Sequence, residues 1–174
     1  MKVYTYAPPK LKASAKRIVV RDETGAMACS FQRVYANKVV QAGNYLFDID
    51  WSAQVDAYSP DGKLLFQCRK TTPWLGRPRF AVHCCDSLDS YPVTFTSWQK
   101  LAPSFEIIYD GQRFFIKKEL LDRAAFMLGN QVLARWSFKP VDGFKARLEI
   151  EAECPIQEPE FFVALFHCLF HIGN

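Results

Sequence analysis

The terminal stretch Pro159-Glu160-Phe161-Phe162-Val163-Ala164-Leu165-Phe166-His167-Cys168-Leu169-Phe170-His171-Ile172-Gly173-Asn174 constrains the fold more than any other. It opens on Pro, which suits a first helical position, and closes on Gly, the usual asymmetry of helix ends. Between them nearly every side chain is apolar, so no face of such a helix meets water well. A helix apolar all round belongs in a core or in a bilayer. About 14 residues at 1.5 Å rise reach about 20 Å, short of the ~30 Å hydrocarbon core of a membrane. The stretch is therefore expected to be a helix surrounded by protein, and the chain upstream must form what surrounds it.

That upstream chain repeats strand, turn, strand. Ile18 to Arg21 leads through Asp22-Glu23-Thr24-Gly25 to Met27–Phe31, and Val55 to Tyr58 leads through Ser59-Pro60-Asp61-Gly62 to Leu64–Arg69. Phe105 to Tyr109 leads through Asp110-Gly111 to Arg113–Lys117, and Ala125 to Leu128 leads through Gly129-Asn130 to Val132–Phe138. These turn residues supply the positive φ that tight hairpins need, and the flanks carry the β-branched and aromatic residues of half-buried strands. Arg69-Lys70-Thr71-Thr72-Pro73 followed by Arg79–Val82 is echoed by Phe138-Lys139-Pro140 followed by Lys145–Ile150, which reads as a twofold internal repeat. Tyr45–Asp50 and Tyr91–Thr96 alternate as well and bring the expected strands to about a dozen. Many strands and one apolar helix fit together if the sheet closes into an antiparallel barrel with the helix inside it, which also removes exposed edges. The fold class expected is mainly β, one barrel domain over residues 1–174.

The hairpins Val19–Phe31, Val55–Arg69 and Phe105–Lys117, closing on the Phe161–Ile172 helix, resemble the Tubby C-terminal-like superfamily. Within it they look most like the compact bacterial and plant LURP-one-related proteins; the phospholipid scramblases belong to the same superfamily. The resemblance covers nearly the whole chain and is one of pattern, since the family has no short invariant motif. It implies a barrel of roughly twelve strands around a hydrophobic C-terminal helix. Some members bind phosphoinositides through basic residues on the barrel's outside, but no lipid-binding position is carried over onto a residue of this chain.

Charge and cysteine usage narrow the function classes. The net charge is +4, mildly basic, and admits an anionic partner without requiring one. The first ten residues lack the apolar run of a signal peptide, and no run of about 20 apolar residues is present. The six cysteines are therefore expected to be reduced, in a cytoplasmic protein. They contain no C-x-x-C pair that would suggest zinc or redox chemistry, and Cys84 and Cys85 are expected on opposite faces of one strand.

Two stretches are basic and free of acids. One holds Lys2, Lys10, Lys12, Lys16, Arg17 and Arg21; the other, Gly62 to Cys85, holds Lys63, Arg69, Lys70, Arg77 and Arg79. Within the second, a Trp74-Leu75 tip stands between basic residues, a composition suited to a membrane surface: cations for headgroups and an indole for the interface. The plainer alternative is a solvated loop whose Trp packs on its own strands. Nucleic acid is not expected, because the charge is dilute and the one helix is apolar.

His167 and His171 stand four apart with Cys168 beside them, a spacing that can hold a metal, but H-E-x-x-H is absent. The reading taken is a pair of structural histidines bonded to backbone or favoured by the helix dipole. Asp48 and Asp50 read as a solvated strand face, and Ser97-Trp98-Gln99-Lys100 matches S-x-x-K without its companion motifs. No P-loop, G-x-G-x-x-G or G-x-S-x-G occurs, and no cofactor is expected. The function expected is a non-enzymatic binding module, peripheral on anionic phospholipid at the inner membrane surface, with Arg69, Lys70, Trp74, Arg77 and Arg79 as its contacts. The alternatives are a protein-interaction domain of unidentified partner, and a metal- or thiol-dependent enzyme.

Overall fold

A computed structural model describes residues 1–8, 14–35, 52–71, 73, 77–97, 103–119, 123–139 and 145–170. Along them run β1 (Lys2–Tyr6), β2 (Ile18–Asp22), β3 (Met27–Val34), β4 (Ser52–Tyr58), β5 (Leu64–Thr71) and β6 (Arg79–Cys84). Next come β7 (Ser90–Phe95), β8 (Ser104–Tyr109), β9 (Gln112–Glu119), β10 (Arg123–Leu128), β11 (Gln131–Lys139), β12 (Lys145–Ile150) and the helix α1 (Pro159–Phe170). Every strand pairs with its neighbours in the chain, and β12 pairs back onto β1, so the sheet is a closed twelve-stranded antiparallel barrel. The mainly-β class, the closure and, among the described residues, the one apolar C-terminal helix are as the sequence predicts. No helix among the described residues is long and apolar enough to cross a membrane.

The turns follow their chemistry. Asp110 and Gly111 both take positive φ, 47° and 76°, which joins β8 to β9 in a two-residue turn whose twist matches the strands. Gly62 sits at φ 91°, and a Cβ there would meet nothing within 4 Å. Its lack of a side chain serves the backbone angle, not close packing. The two repeat units lie at β4–β6 and β10–β12, six strands apart in the ring and so on opposite sides of the barrel.

Two expectations change. The sequence reading places no strand at Lys2–Tyr6, yet this segment is β1 and closes the barrel through the pairs Lys2↔Ile150 to Tyr6↔Ala146. The strand expected at Tyr45–Asp50 lies outside the described residues. Cys84 and Cys85 do not share a strand: β6 ends at Cys84, whose N–H donates to the Asp89 carbonyl, and Cys85 has entered the turn.

Inside the barrel α1 is buried from Glu160 to Phe170. It lies closest to β4 and β5 and also meets β3. A twelve-stranded barrel is wider than one helix fills, so large side chains occupy the remainder. Phe114 and Phe126 stack at 4.8 Å between centroids, Phe126 meets the edge of Phe162 at 5.2 Å, and Phe161, Phe166 and Phe170 extend the aromatic array along the helix.

Candidate functional site

The basic stretch predicted to meet a ligand falls on β5, β6 and their connection. Strand pairing puts Arg69 opposite Ala81, Thr71 opposite Arg79, and Lys70 opposite Phe80. Directly opposed residues share a face, and side chains alternate along a strand. Arg69 and Arg79 therefore share the outer face, and both are exposed. Lys70 belongs to the other face, with Cys68, Phe80 and Val82, and is half-buried, so the structure separates it from the arginines it was grouped with. Arg77 is exposed, its guanidinium carbon 5.9 Å from the Phe95 ring centroid. Trp74 lies outside the described residues, as do Lys10 and Lys12. Elsewhere the N-terminal cations are dispersed: Arg17 lies 4.1 Å over the Tyr58 ring and donates from Nε to Ser30 Oγ, and Arg21 donates to the Gly25 carbonyl.

Beside the arginines the outer face carries a polar network that the sequence reading missed. Asp56 on β4 is only 6% exposed. Its Oδ1 accepts from Gln54 Nε2 at 2.8 Å and from Gln67 Nε2 at 2.9 Å. The Tyr58 hydroxyl stands 3.5 Å from Oδ2 and accepts from Gln32 Nε2 at 2.9 Å. Gln54 is directly opposite Arg69 and Gln67 is two residues before it, so this carboxylate adjoins the Arg69 end of the basic face. Its signal in the sequence is Gln54-x-Asp56-x-Tyr58, polar groups recurring every second residue on a strand whose other face is core.

Of the catalytic and metal candidates, His167 is buried, as a structural histidine is expected to be. His167 is 1% exposed and lies under the rings of Phe31 and Tyr6. Its Nε2 is 2.8 Å from the Tyr6 hydroxyl, a side-chain partner that the sequence reading did not name. That hydroxyl also accepts from the Trp136 indole at 2.7 Å. An indole only donates, so the phenolic hydrogen is left for His167 Nε2, and satisfying all three groups assigns the imidazole proton to Nδ1. His171, Asp48, Asp50 and the Trp98 to Lys100 part of the S-x-x-K match lie outside the described residues.

Six free thiols are present, four buried and two, Cys84 and Cys85, half-buried. Burial pushes the Cys29 thiol up, and burial and the adjoining Cys168 hold Cys68 well above the ordinary thiol range. Such thiols are poor nucleophiles. A maleimide probe should label Cys84 and Cys85 of the native protein and reach Cys29, Cys68, Cys154 and Cys168 only on unfolding. Rapid native labelling of Cys168 would show that the barrel interior opens to solvent.

Against this geometry stand the comparisons with known proteins. The family model described as the Tubby C-terminal like domain matches residues 4–172. Neither the comparison with curated proteins nor that with solved structures gives a match.

Proposed function

The chain belongs to the Tubby C-terminal-like family, and from that membership we propose a binding module whose β5–β6 outer surface meets anionic phospholipid headgroups. Membership supports a binding module in general; the lipid is our own step. The observation that carries it is the pair Arg69 and Arg79, exposed on one face, neither with a carboxylate partner among the described residues. They are diagonal neighbours across β5 and β6, about 7–8 Å apart at that position in a sheet, close enough to share one phosphorylated headgroup. Arg77 adds a third cation, and Trp74 is assigned the interfacial anchor. Lys70, on the other face, is dropped from the set. Within the family the proposal places the chain nearest the LURP-one-related type, and in the cell on the cytoplasmic face of a membrane.

The test is co-sedimentation with phosphatidylserine-containing and with purely phosphatidylcholine vesicles at low and high salt. Each cation near an anionic leaflet contributes about 1 kcal/mol, so Arg69→Ala with Arg79→Ala should weaken binding about thirtyfold. High salt should weaken it too. Equal sedimentation on both vesicle types, or a double variant indistinguishable from the parent, overturns the lipid reading in favour of a protein-interaction surface.

A further inference from the structure

A cleft of about 600 Å³ opens at the end of the barrel where α1 begins, within the size range of small-molecule sites. Val3, Tyr4, Ala28 and Leu65 give it apolar walls, and Asp22, Glu23, Glu158 and Glu160 bring carboxylates to it, with Lys2 as the one cation among the described residues that line it. Four carboxylates against one ammonium make an acidic cleft in a protein of net charge +4. The N-terminus of α1 offsets only about half a charge of that field. Two of the carboxylates are held in place locally. Asp22 accepts from the Thr24 and Ala26 N–H groups and the Thr24 hydroxyl, which keeps its pKa below the usual range, and Glu158 Oε2 accepts from the Gln157 N–H.

Glu160 is the independent observation. It is 6% exposed, lines the cleft, and among the described residues its carboxylate has no partner beyond its own backbone N–H. A buried carboxylate without a cation is costly, and the cost is relieved by a retained proton or by a cation that supplies the charge. A small ion fits poorly, since no group of three or more His, Cys, Asp or Glu among the described residues is placed to hold a metal. We propose that this cleft binds an organic cation, an ammonium head on an apolar stem, with Glu160 receiving the head and the Val3, Tyr4, Ala28 and Leu65 wall receiving the stem. The ligand is distinct in charge and position from the phospholipid of the β5–β6 face.

Glu160 also gives a readout that separates binding from folding. Burial raises its pKa above 4.5, and Glu158 adds to the rise. The groups that face it are Lys2 and Tyr4 of β1, Asp22 of β2, Glu23 of the following turn, Cys29 of β3 and Glu158 before the helix. With the folded pKa raised, stability is full below the unfolded value and falls as pH rises through the folded one. Without ligand, Glu160→Gln should therefore melt higher than the parent at pH 7, and the gain should vanish below pH 4.5.

The binding test is calorimetric titration of the full chain with n-pentylamine, with 1-pentanol as the uncharged counterpart, with calcium, and with N-acetyl-lysine methylamide. Saturable binding of either amine, at least tenfold tighter than pentanol or calcium, is expected. The tighter of the two amines identifies a free amine or a protein lysine as the source of the head. Glu160→Gln should lose about tenfold, and the exposed Glu158→Gln should lose less. A folded Glu160→Gln that binds amine as tightly as the parent overturns the proposal. So does an absence of saturable amine binding, or calcium that binds as well as the amines.

Discussion

Phe162→Ala should lower the unfolding free energy by about 3–5 kcal/mol, seen as a lower urea midpoint at unchanged slope. Phe162 is wholly buried, with Phe126, Phe161 and Phe166 around it at 5.2, 5.2 and 6.0 Å between centroids. Removing the ring forfeits its transfer energy and leaves a cavity, because a closed twelve-stranded wall has little freedom to collapse onto the helix. The loss is a large part of the 5–15 kcal/mol that usually separates folded from unfolded chains, so the variant should be marginal at 37 °C. The control is Leu88→Ala, at an 88% exposed turn position, which should shift stability by less than about 0.5 kcal/mol. If Phe162→Ala cost no more than the control, α1 would not be the interior of this fold.

The contrast between those two positions also shows which parts of the structure a sequence reading reaches. The helix was legible because a segment apolar on every side has few places to go, and the hairpins because Asp110-Gly111 and Gly129-Asn130 carry their backbone angles in their residue types. β1 was not legible. Lys2-Val3-Tyr4-Thr5-Tyr6 is short, has no tight-turn signal beside it, and finds its partner β12 only through closure, some 140 residues away in sequence. The basic face was half legible: Arg77 and Arg79 stood out, but strict period-2 alternation between Arg69 and Lys70 would have separated them before any coordinates. The Gln54-x-Asp56-x-Tyr58 alternation marks a polar strand face in the sequence, but the enclosure of Asp56 and the burial of Glu160 follow from three-dimensional placement alone. An Asp on a strand with one solvated face, or a Glu in the first turn of a helix, is the ordinary choice in sequence terms. Only the assembled barrel reveals that one is enclosed by glutamines and the other sits nearly buried at a cleft.

The same enclosure governs the second large effect, at Tyr6. Tyr6→Phe deletes a single oxygen, yet it should destabilise by about 2–5 kcal/mol, because two buried groups lose their partner together. The Trp136 indole N–H, 2.7 Å from that oxygen, and His167 Nε2, 2.8 Å from it, are both left in an apolar interior. Each unsatisfied group costs about 1–3 kcal/mol. The ring itself stays, edge-on to Phe31 at 5.3 Å, so little packing is lost and the deficit is one of hydrogen bonding. That distinction is testable by adding Trp136→Phe and His167→Phe to Tyr6→Phe. Two stranded polar groups are thereby exchanged for apolar rings, and the triple variant should regain stability over Tyr6→Phe alone even though three native side chains are gone. Packing should move the other way, since indole to phenyl removes volume from a site against Phe166. A triple variant markedly less stable than Tyr6→Phe would mean that the shapes of Trp136 and His167, and not the hydroxyl between them, hold the barrel wall to the helix.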